Sequence, residues 1–391
     1  MKQPINRRHF LKAAASTLTV VVAGGAVWRA SVQGVFSAGE GIVYEPWRTW
    51  QSEPGSGALS LVRAAILASS PHNSQPWRFT VSARQIDVYA DQSRNIGAID
   101  PLLREMHVGL GCALENLLLA ASALGYTYQL SLLPNLNNPT HMARVRLTPG
   151  KVQPNALYEA IAQRHTNRGS YDTTREVSSE TLQSISSLSM GLPNVTVHWF
   201  SSRAERQRLG EWIVAATRAI IADPEQSADS AKWSRHDWRE LQRARDGVTL
   251  DAQGLSPLVL TAAKMLPALS QQQNDDAWLR NTEDVHVGTA AAFGIIAVPN
   301  PQAPLERLRG GQFWQRMQLW ATTQGLAMQP LNQLPERADR EVTQDLEPRF
   351  TRALSALMEG TQTQALMPFR IGYPLTPALP SPRRSVEQVL L

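Results

Sequence analysis

The sequence holds a single cysteine in 391 residues, Cys112, which excludes an intrachain disulfide, a cysteine-rich zinc site and a C-x-x-C redox pair. Lysine is nearly as scarce. Past residue 12 only Lys151, Lys232 and Lys264 remain, so the cations of the body are arginines, whose planar fork suits phosphate. Signatures of other chemistry are missing too. The eight histidines form no H-E-x-x-H pair, no G-x-S-x-G elbow or Walker loop occurs, and Gly109-Leu110-Gly111 lacks the rest of G-x-G-x-x-G. With 43% hydrophobic and 18% charged residues the chain is neither a disordered tail nor a collagen-like fibre. Its length leaves room for about two globular units, each with a core of its own.

The formal charge of +5 is concentrated at one end. Lys2, Arg7, Arg8, Lys12 and Arg29 precede the first acid, Glu40, leaving 33 of the 38 basic residues to balance 33 acidic ones. A neutral body lacks the clustered cations that displace counterions from a polynucleotide, so no nucleic-acid partner is expected. Asn6-Arg7-Arg8-His9-Phe10-Leu11-Lys12 leads into an uncharged run over residues 13–28, short for a bilayer span and of the size of a signal-peptide apolar region. The paired arginines before Phe-Leu-Lys resemble the twin-arginine export signal, with Asn6 where Ser or Thr is usual. That resemblance implies carriage of an already folded, often cofactor-loaded protein by the twin-arginine machinery to the bacterial periplasm. Residues 1–38 would be the targeting segment, cleaved near Ala26, Ala30 or Ala38, or retained as a membrane anchor.

Within the body, residues 59–69 read as a short amphipathic helix stopped by Pro71, and residues 80–81 and 85–89 as strands. Asp100-Pro101 opens a long helix through Leu124, closed by Gly125, and residues 126–133 and 144–147 read as further strands. This is an α+β plan. Cys112 falls in an apolar helical stretch and is assigned to the core. At an offset of 200, Gly111, Leu119, Ala121 and Gly125 match Gly311, Leu319, Ala321 and Gly325; Leu133-Pro134 matches Leu334-Pro335 at 201. The repeat suggests two tandem copies, residues 39–150 and 151–391. Residues 223–281, polar and charged and carrying Trp233 and Trp238, read as an insertion lying over the body as a lid.

Three polar clusters carry candidate chemistry. Ser69-Ser70-Pro71-His72-Asn73-Ser74-Gln75-Pro76-Trp77 combines two fixed φ angles with donors and acceptors suited to the edge of a flat heterocycle, with Trp77 assigned to the core. Arg164-His165-Thr166-Asn167-Arg168 offers two guanidiniums and a hydroxyl to one phosphate. Arg370-Ile371-Gly372-Tyr373-Pro374 is followed by Pro382-Arg383-Arg384-Ser385. Together these resemble the flavin loop P-S-x-x-N-x-Q-P-W, the phosphate signature R-x-S-x-R and the basic tail of the nitroreductase superfamily. The loop differs in residue order around Ser70-Pro71.

The resemblance implies a nitroreductase-like α+β fold and FMN as cofactor. Ordinary members place the arginine signature before the loop; here it follows. A single-chain pseudo-dimer, as in the Acg-type branch, accounts for that order over residues 59–391, with one copy supplying the ring loop and the other the phosphate arginines. Residues 212–261 contain no second copy of the loop, so one FMN per chain is expected. By the resemblance, Arg164, Thr166, Arg168 and Arg384 (or Arg383) would hold the phosphate. Ser70, His72 and Asn73 would face the isoalloxazine, Gln75 would brace the loop, and Pro330 and Leu331 would lie where the family places backbone donors to the ring. The implied activity is ping-pong hydride transfer through FMN from a small-molecule donor to a nitro, quinone or similar acceptor. The alternative is a flavin-sequestering protein whose lid blocks turnover.

Overall fold

A computed structural model describes residues 27–52 and 57–391. The twin-arginine motif and most of the uncharged run lie outside these residues. Two four-stranded antiparallel sheets form the frame. In the first, β1 (Trp77–Ser82), β2 (Gln85–Ala90), β3 (Tyr126–Leu132) and β4 (His141–Pro149) lie in the order β1-β2-β4-β3. In the second, β5 (Thr196–Phe200), β6 (Ala292–Val298), β7 (Ala327–Pro330) and β8 (Gln364–Gly372) lie in the order β5-β6-β8-β7. The central strands β6 and β8 are buried along nearly their whole length, which explains their unbroken apolar runs.

The helices that position the site are α1 (Ala58–Ala65), α2 (Arg104–Ala123), α3 (Pro224–Ala231), α4 (Trp238–Ala244), α5 (Pro257–Met265), α6 (Gln271–Arg280), α7 (Pro304–Thr323) and α8 (Gln333–Thr343). Helix α2 starts at Arg104 and not at the expected Asp100-Pro101. Leu103 turns the backbone left-handed (φ 59), and the Asp100 carboxylate accepts the N–H groups of Glu105 (3.1 Å) and Met106 (2.9 Å). Asp100 is thus a cap rather than a helical residue. Gly125 (φ 81) and Gly325 (φ 68) end α2 and α7 in the left-handed region, where a side chain would add strain. Helix α2 is long and apolar enough to cross a membrane, yet 89% of it is buried: it is the core helix of the molecule.

The offset of 200 becomes a contact between these two helices. A Cβ placed on Gly111 would come 2.9 Å from the Cα of Gly311, and the reverse is equally true; each would also strike a carbonyl of the opposite helix, Leu308 or Val108. Cys112 donates its S–H to the Gly311 carbonyl (3.3 Å), and burial pushes the thiol pKa up, as befits a core residue. On either side of the crossing, Gln315 donates to Asn116 (2.9 Å) and Gln312 to Glu115 (3.0 Å), so the polar groups of a fully covered helix pair satisfy each other. The second correspondence fails. Leu133 sits in a turn after β3 with φ 48, while Leu334 lies inside α8.

Residues 223–281 do fold as helices, α3 to α6, joined by a two-residue parallel ladder between Ser234–Arg235 and Val248–Thr249. The charge of this insertion is unevenly spread: between Asp251 and Asp275 the only charged residue is Lys264. The first sheet also receives the end of the chain. β4 ends at Pro149, but the chain beyond Tyr373 returns to the first sheet, where Phe79 exchanges backbone hydrogen bonds with Val389 and Leu391 (2.9 Å each). On its way this arm accepts a hydrogen bond from Trp47 Nε1 at Ser381 (2.7 Å) and donates from Arg383 N to Val43 (2.8 Å). The two halves are interwoven, and the arm lies against the loop that precedes β1.

Candidate functional site

A cavity of about 680 Å³ lies where the 69–73 loop, α2, the Arg164–Arg168 segment, the start of α8, the arm and the 223–281 insertion meet. Its size is that of a small-molecule site. The loop is an expensive piece of backbone: His72 (φ 47), Asn73 (φ 54) and Gln75 (φ 52) are all left-handed. Such residues persist where their surroundings over-determine them, and they concentrate at functional sites. Here Ser70 Oγ accepts from Gln75 N (3.1 Å), and the Asn73 amide donates to the carbonyls of Gly247 (3.2 Å) and Pro382 (3.0 Å). Gln75 donates to the Arg245 carbonyl (2.8 Å) and accepts from Arg384 N (2.8 Å). Insertion and arm therefore clamp the loop from two sides.

Four arginines border the cavity: Arg104, which is paired with Asp339, and three others, of which Arg164 and Arg383 are buried and Arg168 is half-buried. Arg164 donates to Gln318 Oε1 (3.0 Å) and the Leu67 carbonyl (3.1 Å); Arg383 donates to Asn73 Oδ1 (2.5 Å) and the Ala68 carbonyl (3.0 Å). Both guanidiniums stand near the ring of Trp47, 5.9 and 4.5 Å from its centroid. Arg168, which donates to the Ala252 carbonyl (3.2 Å), faces His72 and His286 instead. Every one of these acceptors is neutral. Among the described residues none of the three makes a salt bridge, and the Nε atoms of Arg164 and Arg383 have no hydrogen-bond partner. Burial lowers the guanidinium pKa of Arg164 and of Arg168 to about 10; burial, then repulsion from Arg164, holds that of Arg383 well below its usual value.

Buried like charges without counter-ions cost stability unless an anion joins them. The histidines around them take no charge. Burial and then Arg168 bring His72 down to about 4; burial, then Arg164 and Arg383, bring His165 to about 3; His286 is held well below its usual range by burial, then Arg370 and Arg168. The Nδ1 atoms of His165 and His286 are buried without a hydrogen-bond partner, so neutral polar atoms are also left open here.

Elsewhere in the cavity wall stand Glu105 of α2 and Glu336 of α8, both nearly fully buried and hydrogen bonded to each other. Burial pushes both carboxyls up, and Arg104 opposes it while being committed to Asp339 (2.7 Å); Glu105 raises Glu336 further, whereas Asp100 raises Glu105 and the hydrogen bond from Glu336 lowers it. A carboxyl whose folded pKa is raised stabilises the fold in its protonated form. That contribution is complete below the ordinary carboxyl range and is lost as pH rises through the folded pKa. Glu336→Gln is therefore expected to flatten the fall in Tm between pH 5 and pH 8 and to raise Tm by a few degrees at pH 8, with little change at pH 5. Parallel thermal melts across that range check it, and an unchanged slope would count against the shared proton.

Of the residues singled out in the sequence, Ser70, His72, Asn73, Arg164, Thr166, Arg168, Pro330 and Arg383 line the cavity. Gln75, Leu331 and Arg384 do not. Gln75 lies behind the loop, bonded to the insertion and the arm. Arg384 points away from its neighbour and donates to the carbonyls of Gln75 (3.1 Å) and Gln388 (2.5 Å), so Arg383 is the arm's cation in the cavity. The expectation of backbone donors at Pro330 and Leu331 is also corrected. Proline has no N–H, and the Leu331 N–H is spent on the Pro368 carbonyl (2.9 Å) while its side chain packs in the second core. Asn332 Oδ1 and Gln333 Oε1, buried at the cavity without partners, are the open polar atoms of that segment. Trp47, Glu105, His286 and Glu336 were not legible as site residues, since each reaches the cavity from an element whose sequence reads as ordinary helix or loop.

No protein-family model matches the chain. Two Mycobacterium tuberculosis proteins, from strains CDC 1551 and H37Rv, are each 26% identical to it over 351 residues, covering 85% of this chain and 90% of theirs; their names assign them provisionally to the NAD(P)H nitroreductases. The likeness is to nitroreductases. A third protein of that species, the provisionally named NAD(P)H nitroreductase acg, is 36% identical over 90 residues, 23% of this chain and 27% of its own. Among solved structures, the FMN-dependent nitroreductase NfnB of Mycobacterium smegmatis in complex with NADPH matches at 20% identity and a TM-score of 0.38, over 60% of this chain and 96% of its own. A nitroreductase with bound FMN from Bacteroides fragilis matches at 15% identity and a TM-score of 0.34, over 59% and 95%. These structural likenesses are too distant to carry an argument.

Proposed function

We propose that this chain is an exported, FMN-binding oxidoreductase of nitroreductase type, built as a single-chain pseudo-dimer that binds one FMN. The observation that carries the reading is a set of three guanidiniums around one cavity, Arg164 and Arg383 buried and Arg168 half-buried, without a carboxylate partner among the described residues. A cofactor with a dianionic tail and a ring that takes up negative charge on reduction matches that electrostatic demand. Arg164, Arg383 and Thr166 would hold the phosphate. Arg168, His72 and the 69–73 loop would face the ring, with Asn332 and Gln333 at the same cavity. FMN, when bound, supplies hydride acceptance and donation. The chain's own residues bind, orient and exclude water, and the Glu105–Glu336 pair holds a proton at the cavity wall. Donor and acceptor would use the same space in turn, the donor being NAD(P)H, as the relatives' names suggest, or another small reductant, and the acceptor a nitro compound or quinone. The crossing of α2 and α7 at Gly111 and Gly311 supports the duplication reading. Residues 1–38 would direct export through the twin-arginine pathway.

One observation favours a second reading, flavin sequestration. The insertion contributes Ser227, His236, Val259, Leu269, Asp275 and Trp278 to the cavity wall, so it covers what it would have to admit. The absorption spectrum of protein purified from cytoplasm tests the first reading: flavin bands at about one FMN per chain are expected, with FMN as the chromophore. A colourless chain that FMN cannot reconstitute would overturn it. Flavin that is reduced chemically but turns over no nitroaromatic or quinone selects sequestration.

A further inference from the structure

Seventeen large hydrophobic side chains are exposed among the described residues, and seven of them come from two short segments that touch. Val27, Trp28 and Phe36 belong to the segment that leads into the described body, with exposures of 64, 66 and 74%. Leu258, Val259, Leu266 and Leu269, at 82, 51, 63 and 49%, lie on α5 and the turn after it. Polar bonds hold the two segments together. Arg29 donates to the carbonyls of Met265 (2.6 Å) and Leu266 (3.3 Å), and Lys264 donates to the Gly34 carbonyl (3.0 Å). Lys264, the single charge between Asp251 and Asp275, is turned inward onto Asp251 (2.6 Å). The outer surface of this part of the insertion therefore carries no charge. Its inner surface is the cavity wall: Leu255, Val259, Ala263 and Leu269 line the cavity, so Val259 and Leu269 belong to both faces.

A contiguous apolar patch of this kind marks a contact surface. Its occupant is indicated by the chain that precedes it. The patch begins at Val27, where the uncharged run over residues 13–28 ends, and that run is itself preceded by Arg7, Arg8 and Lys12. An apolar run too short for a secure span, a basic cluster at its start and an apolar face at its end are the ingredients of interfacial binding to an anionic bilayer, in which two weak signals together give stable attachment. We propose that the α5 face docks on a lipid bilayer and opens the cavity toward it. Resting on the redox reading above, the substrate class that fits this portal is a lipid-soluble quinone or quinol, which reaches the cavity through a wall one apolar helix thick.

Flotation of the full-length, FMN-loaded chain with vesicles of phosphatidylethanolamine and phosphatidylglycerol tests the docking without reference to activity. The wild type is expected to float, and Leu258→Asn/Leu266→Asn to lose roughly tenfold or more of its partitioning, as the loss of two exposed apolar side chains from a lipid contact predicts. Tm and flavin content should stay unchanged, since neither side chain supports the fold or lines the cavity. Binding equal to wild type in the double variant overturns the proposal, as does binding abolished by salt alone in both proteins, which would assign attachment to the basic cluster. A patch-dependent dimer that forms without vesicles overturns it in favour of a second copy. A chain that floats through this face but lacks flavin would leave the docking standing and remove only the quinone reading.

Discussion

Arg383→Met is expected to raise the melting temperature of the cofactor-free chain while removing its ability to retain FMN. The guanidinium is almost wholly buried, its pKa is pushed down by burial and by Arg164, and no acid offsets it. Without an anion it is a liability, and an apolar side chain of similar length relieves it. With the anion it is a ligand. In Arg164→Ala/Arg383→Met two charge-assisted interactions go, each worth about 1.5–3 kcal/mol, so FMN affinity should fall by roughly 10² to 10⁴. Thermal melts with and without added FMN check both halves. Wild type should gain stability on FMN addition by mass action; the cofactor-free Arg383→Met chain should start higher, and both variants should gain less. A cofactor-free Arg383→Met chain that melts lower than wild type would show that the arginine is structural, holding the Asn73 loop through its 2.5 Å contact rather than waiting for a ligand.

Gly311→Ala should cost about 3 kcal/mol or more, a large effect for one methyl group. The added Cβ meets backbone on the facing helix, the Val108 carbonyl and the Gly111 Cα at 2.9 Å, and neither can swing aside as a side chain could. Relief requires α2 and α7 to separate, which would loosen the Gln315–Asn116 and Gln312–Glu115 bonds and the cavity wall that both helices support. Gly325→Ala is the control. Nothing lies within 4 Å of its Cβ, so only the strain of a left-handed alanine (φ 68) is added, about 1 kcal/mol. Denaturant unfolding of the two variants should rank them in that order. Equal losses would mean that the helix crossing has room the geometry denies.

Much of the site was legible because its chemistry is local. The loop around Asn73 and the Arg164–Arg168 segment are each contiguous, and their prolines, amides and guanidiniums declare themselves without a partner in view. What failed was what depends on distant pairing. Choosing between Arg383 and Arg384 needs the position of Gln75, 309 residues away, and reading Leu331 as a donor overlooked the strand that takes its N–H. The start of α2 slipped by one turn because Asp100 spends its carboxylate as a cap from outside the helix. Glu105 and Glu336 carried no signal, since a glutamate on a helix is ordinarily solvated and only the approach of α2 to α8 buries the pair. The correspondence of Gly111 with Gly311 was visible for the opposite reason: close backbone approach admits one residue type.

The arm that returns to the first sheet also orders events in time. A ribosome delivers the strained loop, α2 and the arginines of 164–168 long before residues 383–391, and nascent chains fold from the N-terminal side. Until those last residues emerge, Asn73 lacks the Pro382 carbonyl, β1 lacks its outermost neighbour and the cavity lacks Arg383. An incomplete chain thus has the arginines of 164–168 but neither Arg383 nor the arm that closes the loop around Asn73. The last residues made are the ones that complete the cavity wall and lock the strained loop, so the site reaches its final form only when the chain is whole.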